Sequence, residues 1–414
     1  METGARNLVP EAFGPLQGMR ILSTGTLIAQ PFAAHLAGAF GAEVIQVEHP
    51  SGTCDPWRRL DFAVRRDDGG DPVSSSFVQE RRNAFYVTLD LSTPDGRELF
   101  LRLVQSRDIW MESSKPGTFQ KWGLTDDVVL AANPALVVTH VSGYGQTGDP
   151  GYLGRASYDM VGQAFGGLMF QTGFADPDPP VRAAPYTGDY ITALFALWSS
   201  LAAYIHAQRT GEGQVVDLAQ FEAVHSILAG TMVQYFDSGT VRARSGNKAP
   251  NFQPYDAFAA ADGWVVLGAA GAIFARCCEV IGLDPDKYAA AAGDLDSPEG
   301  AAFDQHLRQW IAARPVPEVV EAFNGASVPC CPVMSSAAMA TDPHYEAREV
   351  HIEWDDVQLG RQVRGTGVTP RFSRTPGKVW RGSVPVGHDN DLIYRDLLGL
   401  AEADLADLRR RHVI

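Results

Sequence analysis

The sequence predicts an α/β protein with a Rossmann-like large domain, built on a parallel sheet, and a smaller α+β domain. Three observations support this prediction. Strand-like and helix-like segments alternate in the first third of the chain, a hairpin with several helices follows later, and 414 residues exceed what one ordinary hydrophobic core accommodates. We therefore expect two domains.

The first βαβ unit begins near the N-terminus. The strand-like stretch MRILSTG, Met19 to Gly25, is followed by apolar residues at helical spacing in PFAAHLAGAFGAE and then by the strand-like EVIQVE. Pro31 in the first turn is typical of a helix start. This order of elements predicts that the two strands pair in parallel.

The same alternation continues in the next segments. Strand-like FYVTLDLS, DIWMESS and LVVTHVSGYG are separated by the helix-like PDGRELFLRLVQS and TDDVVLAANP. In a doubly wound parallel sheet, ligands bind at the carboxyl ends of the strands. The loops expected there are rich in Gly, Ser and Pro, which favours a ligand site among them: STGTLIAQP, EHPSG, ESSKPG and SGYGQTG.

A long apolar segment follows Gly188 and ends where Gly211 and Gly213 interrupt the helical pattern. Only about 16 residues separate Asp189 from His206, whereas a membrane span needs roughly 20. We therefore expect a buried core helix and no membrane association.

The rest of the chain predicts a change of domain. We expect one helix over QFEAVHSILAGTMVQYF, a loop over ARSGNKAPNFQPY, and a hairpin in YDAFAAADGWVVLGA with Asp262 and Gly263 at its tip. Helices follow, then short strands and turns from VPCCPVMSS, and a closing helical segment. We assign residues 1–220 and 326–414 to the large domain and residues 221–325 to the second domain.

Composition and motifs exclude several classes of function. A formal net charge of −15 argues against a nucleic-acid partner. The arginines and lysines of the first third form either a solvated surface or a site for a phosphate-bearing ligand. The absence of G-x-G-x-x-G, P-loop and G-x-S-x-G motifs argues against a dinucleotide site, a nucleotide-phosphate site and a serine hydrolase.

The cysteines, histidines and N-terminus add three expectations. Five cysteines, four of them in adjacent pairs, predict packing roles rather than disulfides, and ten histidines without paired spacing predict no metal site. The N-terminal residues lack the pattern of a secretory signal, so we expect a cytoplasmic protein.

Two carboxylates remain as candidates for chemistry. Asp159 is either the N-cap of a helix entering Gln163 or a catalytic group. Asp189 is the only acid between Asp178 and Glu212, and Gly188 before it permits close approach of a ligand. It is either a helix cap or a nucleophile whose partial burial shifts its pKa, as covalent carboxylate catalysis requires.

A series of motifs in order resembles the class III CoA-transferases, of the formyl-CoA transferase and carnitine CoA-transferase type. The resemblance covers nearly the whole chain. It depends on IAQPFAAHLAGAFGAEVIQVEHP, LDLSTPDGRELFLRLVQSRDIWMESSKPGTF, NPALVVTHVSGYGQTG, YDMVGQAFGGLM, PYTGDY, RTGEGQVVDLAQFE and GHDNDLIYRDLLG.

This resemblance implies that Asp189 is the catalytic nucleophile. Its carboxylate attacks an acyl-CoA thioester to form an aspartyl anhydride, CoA thiolate converts the anhydride to an aspartyl-CoA thioester, and a free acid then attacks that thioester. The partners are thus an acyl-CoA and a small carboxylic acid. Coenzyme A is a substrate moiety, and no cofactor is permanently bound.

The resemblance also assigns CoA contacts to Ile28, Ala29, Lys115 and Lys121. His49 and Trp122 stand where relatives have arginines, so the corresponding contacts are not carried over. An interlocked, ring-like homodimer with the active site at the dimer interface is implied as well.

In detail the motifs resemble the carnitine branch, which implies carnitine metabolism and a trimethylammonium acid as substrate. Tyr158, Tyr186 and Tyr190 are then substrate contacts through cation-π interactions, or else ordinary core aromatics. The alternative is an α-methylacyl-CoA racemase-like epimerase, which uses a histidine at the position of Tyr158. A tyrosine with an ordinary pKa of about 10 is a poor general base, so we favour the transferase. A further alternative is a catalytically silent CoA-binding protein, against which the presence of Asp189 argues.

Overall fold

The computed structural model describes residues 8–51 and 54–414. In this part of the chain the strands are β1 Arg20–Ser23, β2 Glu43–Glu48, β3 Ala63–Val64, β4 Val73–Ser74, β5 Phe85–Thr88, β6 Ile109–Glu112, β7 Val137–Ser142, β8 Gln214–Ala219, β9 Tyr255–Ala259, β10 Trp264–Gly268, β11 Cys330–Pro332, β12 His351–Asp356 and β13 Arg361–Thr366.

The helices of the described residues are α1 Ala29–Ala39, α2 Ser75–Glu80, α3 Pro94–Val104, α4 Thr118–Lys121, α5 Asp126–Ala132, α6 Asp159–Phe165, α7 Leu168–Gln171, α8 Thr187–Thr210, α9 Gln220–Ser226, α10 Thr231–Ser238, α11 Ala272–Val280, α12 Pro298–Ala312, α13 Val316–Gly325, α14 Ser336–Thr341, α15 Pro343–Ala347 and α16 Glu402–Arg410. Short 3₁₀ turns cover Pro56–Arg58 and Ala289–Ala292, and a π-helical turn covers Asp391–Leu397.

A six-stranded sheet of order β5-β2-β1-β6-β7-β8 is parallel throughout, as the alternation of strands and helices predicts. The chain winds from β1 toward β2 and β5 on one side and from β6 toward β7 and β8 on the other. The boundary between β1 and β6 is therefore a topological switch point, where ligands bind in sheets of this kind.

The chain divides into two compact units. Unit 1 contains the described residues up to Leu168, Ala183–Ala229 and Glu346–Ile414, whereas unit 2 contains Met169–Arg182 and Gly230–Tyr345. The borders predicted at residues 220 and 325 lie inside these units, so our domain assignment stays a prediction.

Unit 1 has a hydrophobic core on each face of its large sheet. Ile21 belongs to one core and Leu22 to the other, because successive side chains of a strand point to opposite faces. The same alternation places Met111 in the first core and Trp110 in the second. Both faces are thus covered, as parallel sheets require.

Unit 2 has a smaller core under a three-stranded antiparallel sheet of order β11-β10-β9. The predicted hairpin is present as β9 and β10, with the Asp262–Gly263 turn between them. Phe258, Phe303 and Cys277 are buried in this core, and the four cysteines of unit 2 are free thiols. Strand β11, which follows residue 325, pairs with β10 in this sheet.

Two helix predictions need correction. The single helix expected from Gln220 to Phe236 is two helices, α9 and α10, because Ala229 has a φ of 50° and Gly230 follows it. The closing helical segment is also divided, between the turn at Asp391–Leu397 and α16, where Gly399 has a φ of 74°.

Helix α8 is only partly the buried helix that the sequence predicts. One face, from Asp189 through Ala196 to Ala207, is buried within unit 1, while Trp198 on another face is 57% exposed. Among the described residues α8 is the one helix long and apolar enough to cross a membrane, by length and composition alone.

Candidate active site

A cavity of about 280 Å³ lies at the carboxyl ends of the central strands of unit 1. The loops after β1, β6 and β7 contribute its walls, as expected at a topological switch point. Its described lining residues are Thr26, Leu27, Ile28, Ala29, Pro56, Ser113, Ser114, Lys115, Pro116, Val141, Ser142, Gly143, Arg155, Ala156, Ser157, Tyr158, Asp189 and Gln220.

Asp189 lies in the first turn of α8 and is the one carboxylate among these lining residues. It is 9% exposed. The N-terminal turn of a helix carries partial positive charge, which favours a carboxylate at this place. The sequence prediction that Asp189 lies at the mouth of the apolar helix agrees with its position.

Asp159 holds the N-terminus of α8 in place. Its Oδ1 accepts hydrogen bonds from the backbone N–H groups of Gly188, at 2.8 Å, and Asp189, at 3.2 Å. The N-cap position of its own helix, α6, is occupied by Tyr158. Asp159 is thus a cap, but it caps a helix that begins about 30 residues later rather than its own.

Gln163 completes this support. Its Nε2 donates to Asp159 Oδ2 at 2.8 Å and to the Ala183 carbonyl at 3.0 Å, and its Oε1 accepts from the Ala183 N–H at 2.8 Å. Asp159 and Gln163 are both buried. The two side chains therefore fix the residues before α8 and, through them, the position of Asp189.

One oxygen of Asp189 has a protein partner. Its Oδ1 accepts a hydrogen bond from Gln220 Nε2, and Ser157 Oγ donates to Gln220 Oε1 at 2.9 Å. Within the described residues no hydrogen-bond partner is found for Asp189 Oδ2. This leaves Oδ2 as the oxygen available for chemistry in the cavity.

The environment of Asp189 raises its pKa to about 7. Burial is the largest cause, followed by the negative charge of Asp159, while the hydrogen bond from Gln220 acts in the opposite direction. The negative charge of Glu80 adds to the increase. The group therefore titrates near neutral pH, which is common for catalytic carboxylates.

Three of the four predicted CoA contacts lie at this cavity. Ile28, Ala29 and Lys115 line it together with Asp189, and Lys115 is exposed. Lys121, at the end of α4, is exposed and does not line it.

The loop carrying Ile28 has an unusual backbone that a buried ion pair supports. Leu27 has a φ of 64°, which is uncommon for a residue other than glycine. Its N–H donates to Asp55 Oδ1 at 2.8 Å, and its carbonyl accepts from Arg81 Nη2. Arg81 also bonds to Asp55, and both side chains are buried.

The three predicted substrate tyrosines are not brought together. Tyr158 lines the cavity and is 66% exposed. Tyr190 donates its hydroxyl hydrogen to Glu80 and packs edge-on against Phe32, and Tyr186 packs edge-on against Trp57. Tyr186 and Tyr190 do not line the cavity.

A second cavity of about 230 Å³ shares Thr26 and Ser114 with the first. Its lining includes His49 and Trp122. The two cavities are therefore neighbours at this end of the sheet.

Sequence reasoning missed Gln220 and Arg155. Gln220 directly follows β8 at the carboxyl end of the sheet, which was the available signal. Arg155 lines the cavity, where its Nε donates to the Gly151 carbonyl at 2.6 Å and its guanidinium lies over the Tyr152 ring. Among the described residues no cluster of three metal-ligating side chains is found.

Comparison with known proteins is consistent across sequence and structure. The profile of CoA-transferase family III matches residues 16–390. Bile acid CoA-transferase BaiK of Clostridium scindens is 36% identical over 421 aligned positions, covering 99% of this chain and 91% of BaiK. The succinyl-CoA–D-citramalate CoA-transferase of Chloroflexus aurantiacus is 37% identical over 413 positions, covering 97% of this chain and 98% of that enzyme.

Solved structures have the same fold. A CAIB/BAIF family protein from Brucella suis superposes with a TM-score of 0.81 at 27% identity, covering 93% of this chain and 100% of that one. Rv3272 from M. tuberculosis gives a TM-score of 0.77 at 24% identity, covering 92% of this chain and 99% of that one.

Proposed function

This chain belongs to CoA-transferase family III and is a class III CoA-transferase, and we propose that Asp189 carries first an acyl group and then CoA during the transfer. One observation carries the proposal: Asp189 is the one carboxylate among the described residues that line the cavity, where Ile28, Ala29 and Lys115 also lie. No metal takes part in the proposed steps.

The proposed reaction proceeds through three covalent intermediates, two aspartyl anhydrides and the aspartyl-CoA thioester between them. Asp189 Oδ2 attacks the thioester carbonyl carbon, the C–S bond breaks, and CoA leaves as a thiolate with an aspartyl anhydride behind it. The thiolate attacks the aspartyl carbonyl carbon and expels the donor acid, which gives an aspartyl-CoA thioester. The acceptor carboxylate attacks this thioester, and the returning thiolate then cleaves the new anhydride to form the product acyl-CoA.

Burial of the nucleophile supports this scheme. Water hydrolyses an anhydride, so the intermediate requires a site from which bulk solvent is excluded. Asp189 is 9% exposed, and the attacking form is the ionised one. Because its pKa is raised to about 7, we expect the transfer rate to fall as the pH decreases below 7.

The charges of the cavity favour anionic substrates. Lys115 and Arg155 line it, and both attract carboxylates and the phosphates of CoA rather than a quaternary ammonium. Of the three tyrosines that we expected around a trimethylammonium group, only Tyr158 lines the cavity. We therefore favour hydroxy-dicarboxylic acids over trimethylammonium acids as substrates. Citramalate, which the name of the Chloroflexus relative includes, is an acid of the favoured class.

The first experiment tests the nucleophile. Incubation with succinyl-CoA, acetyl-CoA, cholyl-CoA or γ-butyrobetainyl-CoA, followed by hydroxylamine, should give a hydroxamate at Asp189 that peptide mass spectrometry locates. Asp189→Asn should give neither the hydroxamate nor transfer, whereas the exposed Asp237→Asn serves as the matched control. An unmodified Asp189 with every donor, or full transfer by Asp189→Asn, contradicts the proposal.

A second experiment identifies the acids and tests the racemase alternative. The donors are combined with citramalate, cholate, carnitine, crotonobetaine and γ-butyrobetaine, and each new thioester is measured. Transfer to citramalate supports the charge argument, while transfer only to trimethylammonium acids overturns it. Exchange of an α-proton in deuterated water without transfer would identify an epimerase instead.

We further propose that two copies of the chain form an interlocked homodimer in the cytoplasm. One chain has a mass of 44.7 kDa. Light scattering coupled to size exclusion should give twice this mass, and a monomer at micromolar concentration contradicts the proposal.

A further inference from the structure

Gln220 is placed to act on the nucleophile itself. Its amide Nε2 donates to Asp189 Oδ1, and the side chain is buried, with 5% of its surface exposed. Ser157 Oγ donates to Gln220 Oε1 at 2.9 Å, which orients the amide so that its N–H group faces the carboxylate. The donor is therefore fixed before any substrate arrives.

The neighbouring helix leaves room for this amide. A Cβ atom at Gly162 of α6 would lie 2.5 Å from both Gln220 Cδ and Oε1. Any side chain at residue 162 would thus displace the Gln220 amide from its place between Ser157 and Asp189. The absence of a side chain at Gly162 is a second, independent observation that the fold is built around the Gln220 amide.

We propose that Gln220 is a catalytic residue whose Nε2–H stabilises the negative charge that develops on Asp189 Oδ1 when CoA thiolate attacks the aspartyl carbonyl carbon. This inference rests on the proposed function of Asp189. It also assigns the two carboxylate oxygens: Oδ2 attacks the substrate, and Oδ1 remains the carbonyl oxygen of all three covalent intermediates.

The electron movements show at which step the hydrogen bond from Gln220 matters. The thiolate sulfur forms a bond to Asp189 Cγ, and the C=O electron pair moves to Oδ1, giving a tetrahedral oxyanion. The pair then returns and the Cγ–Oδ2 bond breaks, which releases the donor acid as a carboxylate and leaves the aspartyl-CoA thioester. Protons and electrons balance without any further reactant.

Such a donor acts mainly in the transition state. Negative charge is shared by two oxygens in the free carboxylate but concentrates on Oδ1 in the oxyanion, so the Gln220 hydrogen bond strengthens along the reaction. Removal of one donor to an oxyanion typically costs about 100-fold or more in kcat. The first step, attack by Oδ2 on the substrate carbonyl, makes no comparable demand on Gln220.

The test uses Gln220→Leu in the full-length enzyme with whichever donor of the panel gives the largest Asp189 adduct in the wild type. We expect kcat for transfer to fall about 100-fold. Because the anhydride then persists, intact-protein mass spectrometry should show an acyl adduct in place of the CoA adduct, and a larger share of the donor should be hydrolysed. The acid limb of the rate profile should move to higher pH.

Gly162→Ala should reproduce these changes without altering Gln220, and the exposed Gln305→Leu is the matched control with wild-type behaviour expected. Wild-type transfer and an unchanged acid limb in folded Gln220→Leu would overturn the role of Gln220 while leaving Asp189 as nucleophile. A loss of transfer with an unchanged ratio of acyl to CoA adducts would also overturn it, because a merely structural role slows both steps. No adduct in the wild type removes the proposed function and this inference together.

Discussion

The two units differ in what they bury. Unit 1 buries carboxylates and arginines around its site, among them Asp55, Arg81 and Asp189, whereas the only buried charged side chain described in unit 2 is Arg244. The core of unit 2 is formed by aromatic, aliphatic and cysteine side chains such as Phe303 and its neighbours. Both units thus have apolar cores, but unit 1 additionally buries charged side chains around its site.

This difference indicates where in the chain the burial of charge lowers the stability of the fold. Removal of a charge from water is expensive, and pairing returns only part of that cost. In unit 1 a buried ion pair supports a loop of the cavity. Asp55 accepts a hydrogen bond from the Leu27 N–H, and Arg81 donates one to the Leu27 carbonyl. In unit 2 the buried thiol of Cys278 has a pKa raised to about 11 by burial, so it stays neutral and behaves as an apolar group.

The largest expected effect follows from breaking the buried pair of unit 1. Arg81→Met leaves the Asp55 carboxylate buried without its partner, and such a loss typically costs about 3–5 kcal/mol. The double variant Arg81→Met with Asp55→Asn removes the uncompensated charge while an amide oxygen can still accept from the Leu27 N–H. We expect the double variant to regain most of the free energy of unfolding, measured in urea at pH 7.

Phe303→Ala in unit 2 is the comparison for this prediction. The loss of a fully buried ring costs a similar amount, about 3–5 kcal/mol, but no second substitution of a neighbouring charge should rescue it. Wild-type stability of Arg81→Met would show that the buried pair makes no net contribution, and the contrast between the units would then lose its energetic basis.

The sequence was sufficient for the large sheet and for the position of Asp189. Alternating segments set the order of strands and helices, and parallel pairing then brings the loops after β1, β6 and β7 together. Asp189 was recognisable because it is one acid in a long apolar run. Ile28, Ala29 and Lys115 were predicted from the family resemblance, and they line the same cavity as Asp189.

The parts that sequence reasoning missed depend on contacts between distant residues. Asp159 was interpreted as either the cap of its own helix or a catalytic group, but it caps α8 because the fold brings α6 against the start of that helix. In the sequence, Gln220 is an ordinary polar residue at the start of a helix. Only the pairing of β7 with β8 brings it beside Asp189. Tyr190 was assigned to substrate because the resemblance to the carnitine branch implied a trimethylammonium group, whereas the structure directs its hydroxyl to Glu80.

A smaller effect concerns the stability of the protein, as distinct from its activity, when Asp189 is replaced. Its pKa is raised from 3.8 to about 7 in the folded protein, mainly by burial, so the folded state holds its proton more tightly than the unfolded state does. Stability therefore declines as the pH rises through this window, and the full change corresponds to about 4 kcal/mol at most. Asp189→Asn does not titrate, so it should be more stable than the wild type at pH 9 and similar to it at pH 4.

The measurement is urea unfolding of both proteins at pH 4, 7 and 9, with Asp237→Asn as an exposed control expected to change stability by less than about 0.5 kcal/mol. An equal difference at all three pH values would mean that the Asp189 carboxylate is not destabilised by its surroundings. Burial of this carboxylate would then carry no electrostatic cost, and in this respect the site would resemble the apolar core of unit 2.

The smallest effect concerns a charged group behind the cavity wall. His140 Nδ1 lies 2.6 Å from Glu112 Oε1, and its Nε2 lies 2.9 Å from Asp126 Oδ1. Burial lowers the pKa of His140, but hydrogen bonds to Asp126 and Glu112 outweigh burial and raise it to about 9. Glu112 in turn accepts from the N–H of Ser114, which lines the cavity.

His140 should therefore stabilise unit 1 as an imidazolium. Because its folded pKa exceeds the unfolded value of 6.5, the contribution is fully present below pH 6.5 and is lost as the pH rises through about 9. We expect His140→Gln to lower the free energy of unfolding by about 3 kcal/mol at pH 6 and by much less at pH 10. A pH-independent loss would show that His140 is neutral, and that buried charge in unit 1 is confined to its carboxylates and arginines.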